Sequence, residues 1–251
     1  MGERRITMDG AVNFRDIGGY PAGPGRRTRW RTIYRSDSLA ELSPADLDRL
    51  RALGLYALSD FRLQSERLKK PDQLPVGHAI QVLTPGFIPE GTDELLHRVS
   101  KGKIDVEGIR AAFVHHYSIF AAQHLGNYAS TLRMILQADG APVLLHCTSG
   151  KDRTGFGIAL LMLIAGCDEQ TIAADYLLTN EYRRDIGFMF RDDVDPRSIA
   201  MLTSARPEYI GQALDTLRNQ HGSPDDWLAA LGFDAPDRAQ LRALLTEPAK
   251  A

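Results

Sequence analysis

The chain has 251 residues, of which 43% are hydrophobic, and a formal net charge of −2 at pH 7. A chain of this length and composition can bury one sizeable core, which predicts a single α/β domain over residues 1–251. A slightly acidic chain is not typical of nucleic-acid-binding proteins, so we expect no nucleic-acid partner.

A β-hairpin is the first predicted element, between Asn13 and Tyr34. Gly18-Gly19 and the run from Pro21 to Gly25 are turn signals, and alternating residues follow them. Arginines make this the most basic stretch: Arg26, Arg27, Arg29, Arg31 and Arg35. They form either a solvated face of the hairpin or a surface that attracts phosphorylated or acidic ligands. Arg15 and Asp16 either reach the active site or form an internal ion pair.

A helix is predicted next, with Ser43 as its N-cap, Pro44 at its first position and Gly54 at its end. A strand from Leu55 to Leu58 follows it and leads into Asp60 and Arg62. Ligands bind at the ends of strands in open α/β sheets, so these two side chains are candidates for substrate binding. The alternative is an Asp-Arg pair that holds the strand to the next helix.

Another strand is predicted from Ala79 to Leu83. Residues Pro85 to Lys103 are expected to be the least regular part of the chain, because they contain Gly86, Pro89, Gly91 and Gly102. Long connections of this kind are often lids or binding loops, which suggests a lid or an insertion over residues 85–105.

Two helices divided near Gly126-Asn127 are predicted between Val106 and Gln137. The first contains three histidines: His115, His116 and His124. No carboxylate or cysteine accompanies them at ligand spacing, so we expect them to serve helix packing and we expect no metal site.

The most informative stretch begins with Val143-Leu144-Leu145, a short apolar strand, and ends in an apolar helix that begins near Thr154. The turn between them contains Cys147 and Arg153, with Gly150 permitting a tight bend. Backbone N–H groups at a helix N-terminus bind phosphate and would also stabilise a cysteine thiolate. Arg153 adds a planar guanidinium suited to bidentate phosphate binding.

The rest of the chain is predicted to be mostly helical. Helices are expected over Asp168–Leu178, Glu181–Phe190 and Pro207–Gln220, with two short ones beginning at Ser223-Pro224 and at Pro236. The region from Asp192 to Ala205 is predicted to be an irregular connection.

The segment His146-Cys-Thr-Ser-Gly-Lys-Asp-Arg-Thr-Gly155 resembles the phosphate-binding loop of cysteine-dependent protein tyrosine phosphatases. Its Gly-Lys-Asp-Arg-Thr-Gly version is similar to that of bacterial enzymes that also act on phosphoserine, phosphothreonine and phosphoinositides, including secreted mycobacterial and listerial ones. Asn13-Phe-Arg-Asp-Ile-Gly-Gly19, Tyr34-Arg-Ser36 and Asp60-Phe-Arg62 support the resemblance. It implies a mainly parallel sheet of about four or five strands, flanked by helices, with an N-terminal hairpin.

The resemblance also implies roles for the residues of the loop. Cys147 would be the nucleophile, Arg153 would hold the phosphate, His146 would orient the loop and Thr154 would donate a hydrogen bond to the leaving sulfur. Many tyrosine phosphatases take their general acid from a Trp-Pro-Asp loop, which this chain lacks. The bacterial subgroup points instead to Asp152, with Asp60 as the second choice. The substrate-binding candidates are Thr148, Ser149, Gly150, Lys151, Asp60 and Arg62.

The predicted reaction is hydrolysis of a phosphate monoester through a cysteinyl phosphate, with phosphotyrosine as the main substrate and phosphoserine or phosphothreonine as further ones. No cofactor is required. Because Lys151 adds a second cation beside Arg153, a phosphoinositide phosphatase is the alternative. A catalytically inactive phosphate-binding module is less favoured, because such a module does not need a nucleophilic thiol.

Cys147 and Cys167 are the only cysteines, which excludes a disulfide framework and suits a reducing compartment. Cys167 is expected to be a small core residue, the alternative being a redox partner for Cys147. We expect no integral membrane segment and no signal peptide, hence a cytoplasmic protein, with signal-less secretion as the alternative. The oligomeric state is not predictable from these patterns.

Overall fold

The computed structural model describes residues 3–184 and 194–249. Its main sheet has five strands, which lie in the order β1, β3, β6, β4, β5. The strands are β1 Arg15–Asp16, β3 Ile33–Ser36, β4 Ala57–Asp60, β5 Gln81–Leu83 and β6 Val143–His146. Strands β3, β6, β4 and β5 are parallel to one another, and β1 runs antiparallel to β3. The prediction of a mainly parallel sheet of four or five strands is therefore confirmed.

Strand β6 is the centre of the sheet, and all four of its residues are buried. A parallel strand that is covered by helices on both faces of the sheet carries apolar side chains on both faces. This explains the continuous run Val143-Leu144-Leu145. Val143 and Leu145 pack into the larger core cluster, whereas Leu144 packs into the smaller one on the opposite face. Because successive side chains of a strand point to opposite faces, β6 contributes to the core on both sides of the sheet.

The N-terminal hairpin exists, but only part of it joins the main sheet. Strand β1 pairs with β3, while the intervening strand β2, Arg26–Thr28, pairs with the C-terminal strand β7, Thr246–Pro248. Arg27 forms an ion pair with Glu247 at 2.7 Å, and Arg29 donates to the carbonyl of Leu244 at 2.9 Å. These arginines therefore hold the C-terminal segment to the hairpin.

Helix α1, Pro44–Ala52, begins as predicted. Ser43 and Asp46 form a reciprocal capping box at its N-terminus. Strand β4 begins two residues after the predicted start, and a short helix α2, Gln64–Lys69, follows it. The stretch from Pro85 to Lys103 was expected to be irregular, but it contains helix α3, Thr92–Ser100, which buries Leu95 and Val99.

The two helices predicted from Val106 are confirmed as α4, Val106–Gln123, and α5, Ala129–Ala138. A 3-10 turn over Leu125–Tyr128 separates them at the predicted break. Helix α6, Asp152–Ala165, leaves the loop after β6 and is buried along almost its whole length. Its hydrophobicity on all sides follows from this position between the sheet and the outer helices.

The C-terminal helices are α7 Glu169–Leu177, α8 Thr179–Tyr182, α9 Pro196–Thr203, α10 Pro207–His221, α11 Pro224–Ala230 and α12 Ala235–Leu245. Helix α9 corrects the prediction of an irregular connection from Asp192 to Ala205. Its Asp195-Pro196 start is an N-cap followed by proline, a helix signal that the region's mixed composition obscured. The predicted helix Glu181–Phe190 lies partly outside the described residues. Across residues 3–184 and 194–249, no helix is long and apolar enough to cross a membrane.

Candidate active site

The loop between β6 and α6 brings Cys147 to the base of a concave turn. Cys147 is only 1% exposed and directly follows the last residue of the central strand. Gly150 has a φ of +68°, and a Cβ at this position would lie 2.5 Å from the carbonyl oxygen of Ser36. Only glycine fits there, because both the backbone conformation and the neighbouring strand exclude a side chain.

Three consecutive carbonyl groups of this loop point outward and accept hydrogen bonds from the surrounding scaffold. The donors are Ser38 N–H to Thr148 at 3.1 Å, Asn13 Nδ2 to Ser149 at 3.1 Å and Arg35 Nη2 to Gly150 at 2.6 Å. Because the carbonyl and the N–H of one peptide unit point in opposite directions, the amides of Ser149, Gly150 and Lys151 point inward. Within the described residues, the amides of Thr148, Ser149, Gly150, Asp152 and Arg153 donate no hydrogen bond. The Ser149 and Gly150 amides are thus both free and directed inward, an arrangement that suits an anion.

A buried ion-pair network supports the loop from behind. Asp175 on α7 lies between two arginines, 3.1 Å from Arg15 Nε and 2.6 Å from Arg35 Nη1. Burial would raise the pKa of Asp175, but the two guanidinium charges outweigh it and hold that pKa well below its ordinary value. Of the two alternatives for Arg15, the structure shows the internal ion pair, with Asp175 rather than Asp16 as the partner. Asp16 instead accepts hydrogen bonds from the amides of Gly18 and Arg31.

Arg153 is held in place by a carboxylate that the sequence patterns did not reveal. Glu66 of α2 binds its guanidinium bidentately, at 2.7 Å to Nη1 and 2.9 Å to Nη2, and also accepts from the Thr148 hydroxyl. Although burial opposes ionisation, these contacts lower the pKa of Glu66 to about 2. Nε of Arg153 donates no hydrogen bond to any residue in the described part of the chain, so this edge of the guanidinium is available for a phosphate.

Asp152 is the first residue of α6, and its carboxyl group is 28% exposed. Its Oδ1 accepts a hydrogen bond from the Tyr117 hydroxyl of α4 at 2.8 Å. The Tyr117 hydroxyl in turn lies 2.6 Å from that of Tyr176 on α7. Nothing in the spacing of Tyr117 along the sequence distinguishes it from the neighbouring aromatic residues of α4.

Lys151 is 3% exposed and does not extend into solvent. Its Nζ donates to the carbonyl of Leu202 in α9 at 2.7 Å, and it lies 3.5 Å from Asp152 Oδ1 and 4.4 Å from the centre of the Phe113 ring. Burial is the main cause that lowers the pKa of Lys151. The side chain therefore connects the loop to α9 while remaining at the edge of the cavity.

His146, Asp60 and Arg62 lie in a buried cluster beneath the loop. Arg62 Nη2 is 2.8 Å from Asp60 Oδ2 and 2.7 Å from Asp72 Oδ2, and His146 Nε2 is 3.3 Å from the same oxygen of Asp72. Asp60 and Arg62 are 1% and 2% exposed and do not line the cavity. Their arrangement is the ion pair of the second interpretation, and it places Asp60 too deep to protonate a leaving group.

Ligand atoms of Asp60, Asp72 and His146 also lie within 4.8 Å of one another, close enough to hold a metal ion. However, the Arg62 guanidinium contacts both carboxylates. The guanidinium already neutralises these carboxylates and uses the oxygen atoms that would bind a metal ion. We therefore assign the cluster to structural support of the loop after β6.

Two further residues of the sequence analysis lie along α6. Thr154 is fully buried, and its Oγ1 has no hydrogen-bond partner among the residues described. Cys167 follows the C-terminal end of the 14-residue helix, so about 20 Å separate it from Cys147, far beyond disulfide distance. Burial raises the pKa of the Cys167 thiol to about 12, as expected for a core residue. The alternative of a redox partner is wrong in this geometry.

A cavity of about 410 Å³ opens next to the loop. Thr148, Ser149, Lys151, Asp152 and Arg153 form its polar side. Much of the remaining lining is apolar and comes from α3, α4 and α9: Leu95, Leu96, Phe113, Phe120 and Leu202. The stretch 85–105 thus contributes one wall of the cavity through α3, and whether it moves as a lid stays a prediction.

Comparison with known proteins decides the family. A model of the tyrosine phosphatase family matches residues 6–247. The chain belongs to this family. The phosphatase is 32% identical to a Cupriavidus necator protein named as a tyrosine-protein phosphatase, over 96% of this chain and 88% of the relative. It is 28% identical to the triple specificity protein phosphatase PtpB of Mycobacterium tuberculosis, over 95% and 98% of the two chains.

More distant likenesses complete the comparison. A tyrosine-protein phosphatase of Nostoc commune is 27% identical over 84% of this chain and 73% of the relative. The crystal structure of P. aeruginosa TpbA covers 79% of this phosphatase and 94% of its own chain at 17% identity, with a TM-score of 0.35. The enzyme is thus a protein tyrosine phosphatase by family, and the TpbA likeness adds nothing to that assignment.

Proposed function

We propose that this phosphatase hydrolyses aryl phosphate monoesters, phosphotyrosine above all, through a cysteinyl-phosphate intermediate formed on Cys147. One observation carries the proposal. Cys147 begins a loop whose free amides point inward, and Arg153 and Asp152 line the cavity next to that loop. Nucleophile, anion clamp and proton donor are thus contributed by one loop and the first turn of one helix.

In the first step the Cys147 thiolate attacks phosphorus and the P–O bond to the leaving group breaks. The loop amides and the Nε edge of Arg153 hold the equatorial oxygens, which lowers the energy of the transition state. Asp152 donates its proton to the departing oxygen, so an alcohol or phenol leaves rather than an anion.

In the second step water replaces the thiolate. The Asp152 carboxylate accepts a proton from water while the water oxygen attacks phosphorus and the S–P bond breaks. The Thr154 hydroxyl, buried and without a partner in the described chain, is free to donate to the departing sulfur. Phosphate is released and the Cys147 thiolate is restored. The two steps together consume one water molecule and return Cys147 and Asp152 to their starting protonation states.

The apolar wall supports an aromatic substrate. Phe113, Phe120 and Leu95 line the same cavity as the loop, so they would surround the ring of a bound phosphotyrosine. Transfer of an aromatic ring from water into such a cavity is favourable, because apolar surface is buried. The shorter side chains of phosphoserine and phosphothreonine would leave part of the cavity empty. The relative named a triple specificity phosphatase supports activity on these smaller substrates as well.

Hydrolysis of p-nitrophenyl phosphate by the wild type and by Cys147→Ser tests the proposal. We expect wild-type activity to survive a chelator and the variant to fall to background, with phosphate trapped on the wild-type cysteine detected by mass spectrometry after rapid acid quench. Wild-type activity no higher than that of Cys147→Ser would contradict the proposal and favour an inactive phosphate-binding module.

A phosphoinositide substrate is the second candidate, and a specific observation favours it. Four cations line the same cavity: Lys151, Arg153, Arg183 and Arg184. Three carboxylates, Asp37, Glu66 and Asp152, line it as well, so the cations exceed the carboxylates by one charge. This excess of positive charge suits a ligand with more than one phosphate. Lys151→Met, with exposed Lys101→Met as control, should lower activity on a short-chain phosphatidylinositol phosphate more than on a phosphotyrosine peptide. Equal losses on both substrates would count against the lipid.

We also propose that residues 1–251 form one domain and that the enzyme works in the cytoplasm. Pairing between β2 near the start and β7 near the end supports the first statement. Two cysteines without a disulfide, one of them the proposed nucleophile, support a reducing compartment. Limited proteolysis that yields stable fragments would contradict the single domain.

A further inference from the structure

A pair of phenols stands directly behind the proposed general acid. Tyr117 and Tyr176 come from α4 and α7, they are 0% and 1% exposed, and their hydroxyl oxygens are 2.6 Å apart. The Tyr117 hydroxyl also lies 2.8 Å from Asp152 Oδ1. Neither phenol contacts the phosphate-binding loop amides, so the reaction scheme above does not use them.

The direction of these hydrogen bonds follows from burial. Burial is the largest cause that raises the pKa of both tyrosines well above the ordinary value of 10. Both phenols therefore keep their protons at every pH at which the enzyme would work. A carboxylate can only accept, so Tyr117 donates to Asp152 and Tyr176 donates to Tyr117, and each bond in such a chain strengthens the next.

The contacts of the Asp152 carboxyl group with the described residues involve one of its two oxygens. Oδ1 receives the Tyr117 hydroxyl and lies 3.5 Å from Lys151 Nζ. Oδ2 accepts no hydrogen bond from the residues that the structure describes. The side chain is thus fixed at one oxygen, and the other is left to carry the proton.

We propose that Tyr117, held by Tyr176, is a positioning residue that fixes Asp152 with Oδ2 toward the leaving group and stabilises the carboxylate once its proton has gone. The inference rests on the proposed role of Asp152 as general acid. It predicts that proton transfer depends on the Tyr117 hydroxyl, which acts through its hydrogen bond to Asp152.

Other groups also face Asp152 and have to be kept constant in a test. They are Lys151 and Arg153 beside it, His116 on α4, Tyr128 after α4 and Tyr176 on α7. Tyr209 offers a matched control, because it is fully buried in the same aromatic cluster, 5.7 Å from the Tyr117 ring. Among the residues described, its hydroxyl forms a hydrogen bond only with Met201 Sδ, at 3.2 Å.

The test compares Tyr117→Phe with Tyr209→Phe by kcat/KM against pH. Loss of a hydrogen bond to the carboxylate favours its protonated form, so the alkaline limb of the Tyr117→Phe profile should move upward by about one pH unit. Tyr176→Phe should give a shift in the same direction but smaller, because it removes only the outer bond. The Tyr209→Phe profile should keep the wild-type limb. Thermal melting checks that all three variants remain folded.

Leaving-group dependence gives a second readout that a purely structural role would not change. A misplaced acid matters more for phenyl phosphate, a poor leaving group, than for p-nitrophenyl phosphate. Tyr117→Phe should lose about tenfold on the first and only about twofold on the second.

The possible outcomes separate the two proposals. Identical profiles and leaving-group ratios for Tyr117→Phe and Tyr209→Phe, with the alkaline limb abolished in Asp152→Asn, would overturn the role of Tyr117 and leave the proposed function intact. An alkaline limb that persists in Asp152→Asn would overturn this inference together with the role of Asp152. A wild type without phosphatase activity would overturn both proposals.

Discussion

Replacing Asp175 by asparagine tests whether the buried network supports the phosphate-binding loop. The carboxylate forms ion pairs with Arg15 and Arg35, and all three side chains are at most 1% exposed. Asparagine has nearly the same shape but carries no charge, and it can accept with only one atom where the carboxylate uses two. Both guanidinium groups would then lack a counter-charge inside the core.

The loss of stability expected for Asp175→Asn follows from the burial of these charges. Removing one partner of a buried ion pair costs about 3–5 kcal/mol, because the other charge is left without compensation. For a chain of this size, the loss corresponds to a decrease in Tm of about 6–20 °C. Arg35 would also hold the Gly150 carbonyl less firmly, and a loop displaced by a fraction of an ångström should lose about 10- to 100-fold in kcat/KM.

Differential scanning calorimetry and p-nitrophenyl phosphate kinetics measure the two effects. Asp168→Asn is the matched control, because Asp168 is the N-cap of the same helix and accepts from the Thr171 amide at 2.7 Å. Asparagine caps a helix about as well as aspartate, so this variant should keep the wild-type Tm and activity.

The pH dependence provides a further check. Because the native pKa of Asp175 is held well below its usual value of 3.8, its stabilisation is present above that value and is lost only as the pH falls further. The difference in Tm between wild type and Asp175→Asn should therefore stay constant down to about pH 4 and shrink below it. A Tm difference no larger than that of Asp168→Asn at neutral pH would refute the reasoning.

Two other predictions concern the loop itself. Glu66→Gln removes the charge that orients the Arg153 guanidinium and should lower kcat/KM by about 10- to 100-fold. Glu107→Gln is the silent control, because Glu107 is 73% exposed on α4. Steady-state kinetics measures both variants. Gly150→Ala places a Cβ 2.5 Å from a backbone oxygen at a φ of +68°, so activity should fall by at least about 100-fold. In Gly126→Ala, where a Cβ meets nothing within 4 Å, activity should stay at the wild-type level. Full activity of Gly150→Ala would show that the loop tolerates a different backbone shape.

Local signals in the sequence predicted the parts of the fold that form over short distances. Ser43-Pro44 is sufficient to begin α1, because the cap and its partner Asp46 are three residues apart. Composition was misleading between Pro85 and Lys103 and between Asp192 and Ala205. Glycine and proline there mark the ends of α3 and α9 rather than the absence of helices.

For the candidate site, the sequence alone determined the loop from Cys147 to Arg153, because the strand, the turn, the proposed nucleophile and the proposed anion clamp all lie within one short segment. Only the tertiary structure decided which side chains hold that loop. Glu66 is 87 residues from Arg153, Asp175 is 160 residues from Arg15, and Tyr117 is 35 residues from Asp152. Such partners leave no spacing pattern, since their contacts arise when helices from different parts of the chain pack around the sheet. The chemistry of the loop is local, whereas the orientation of its charges depends on the whole fold.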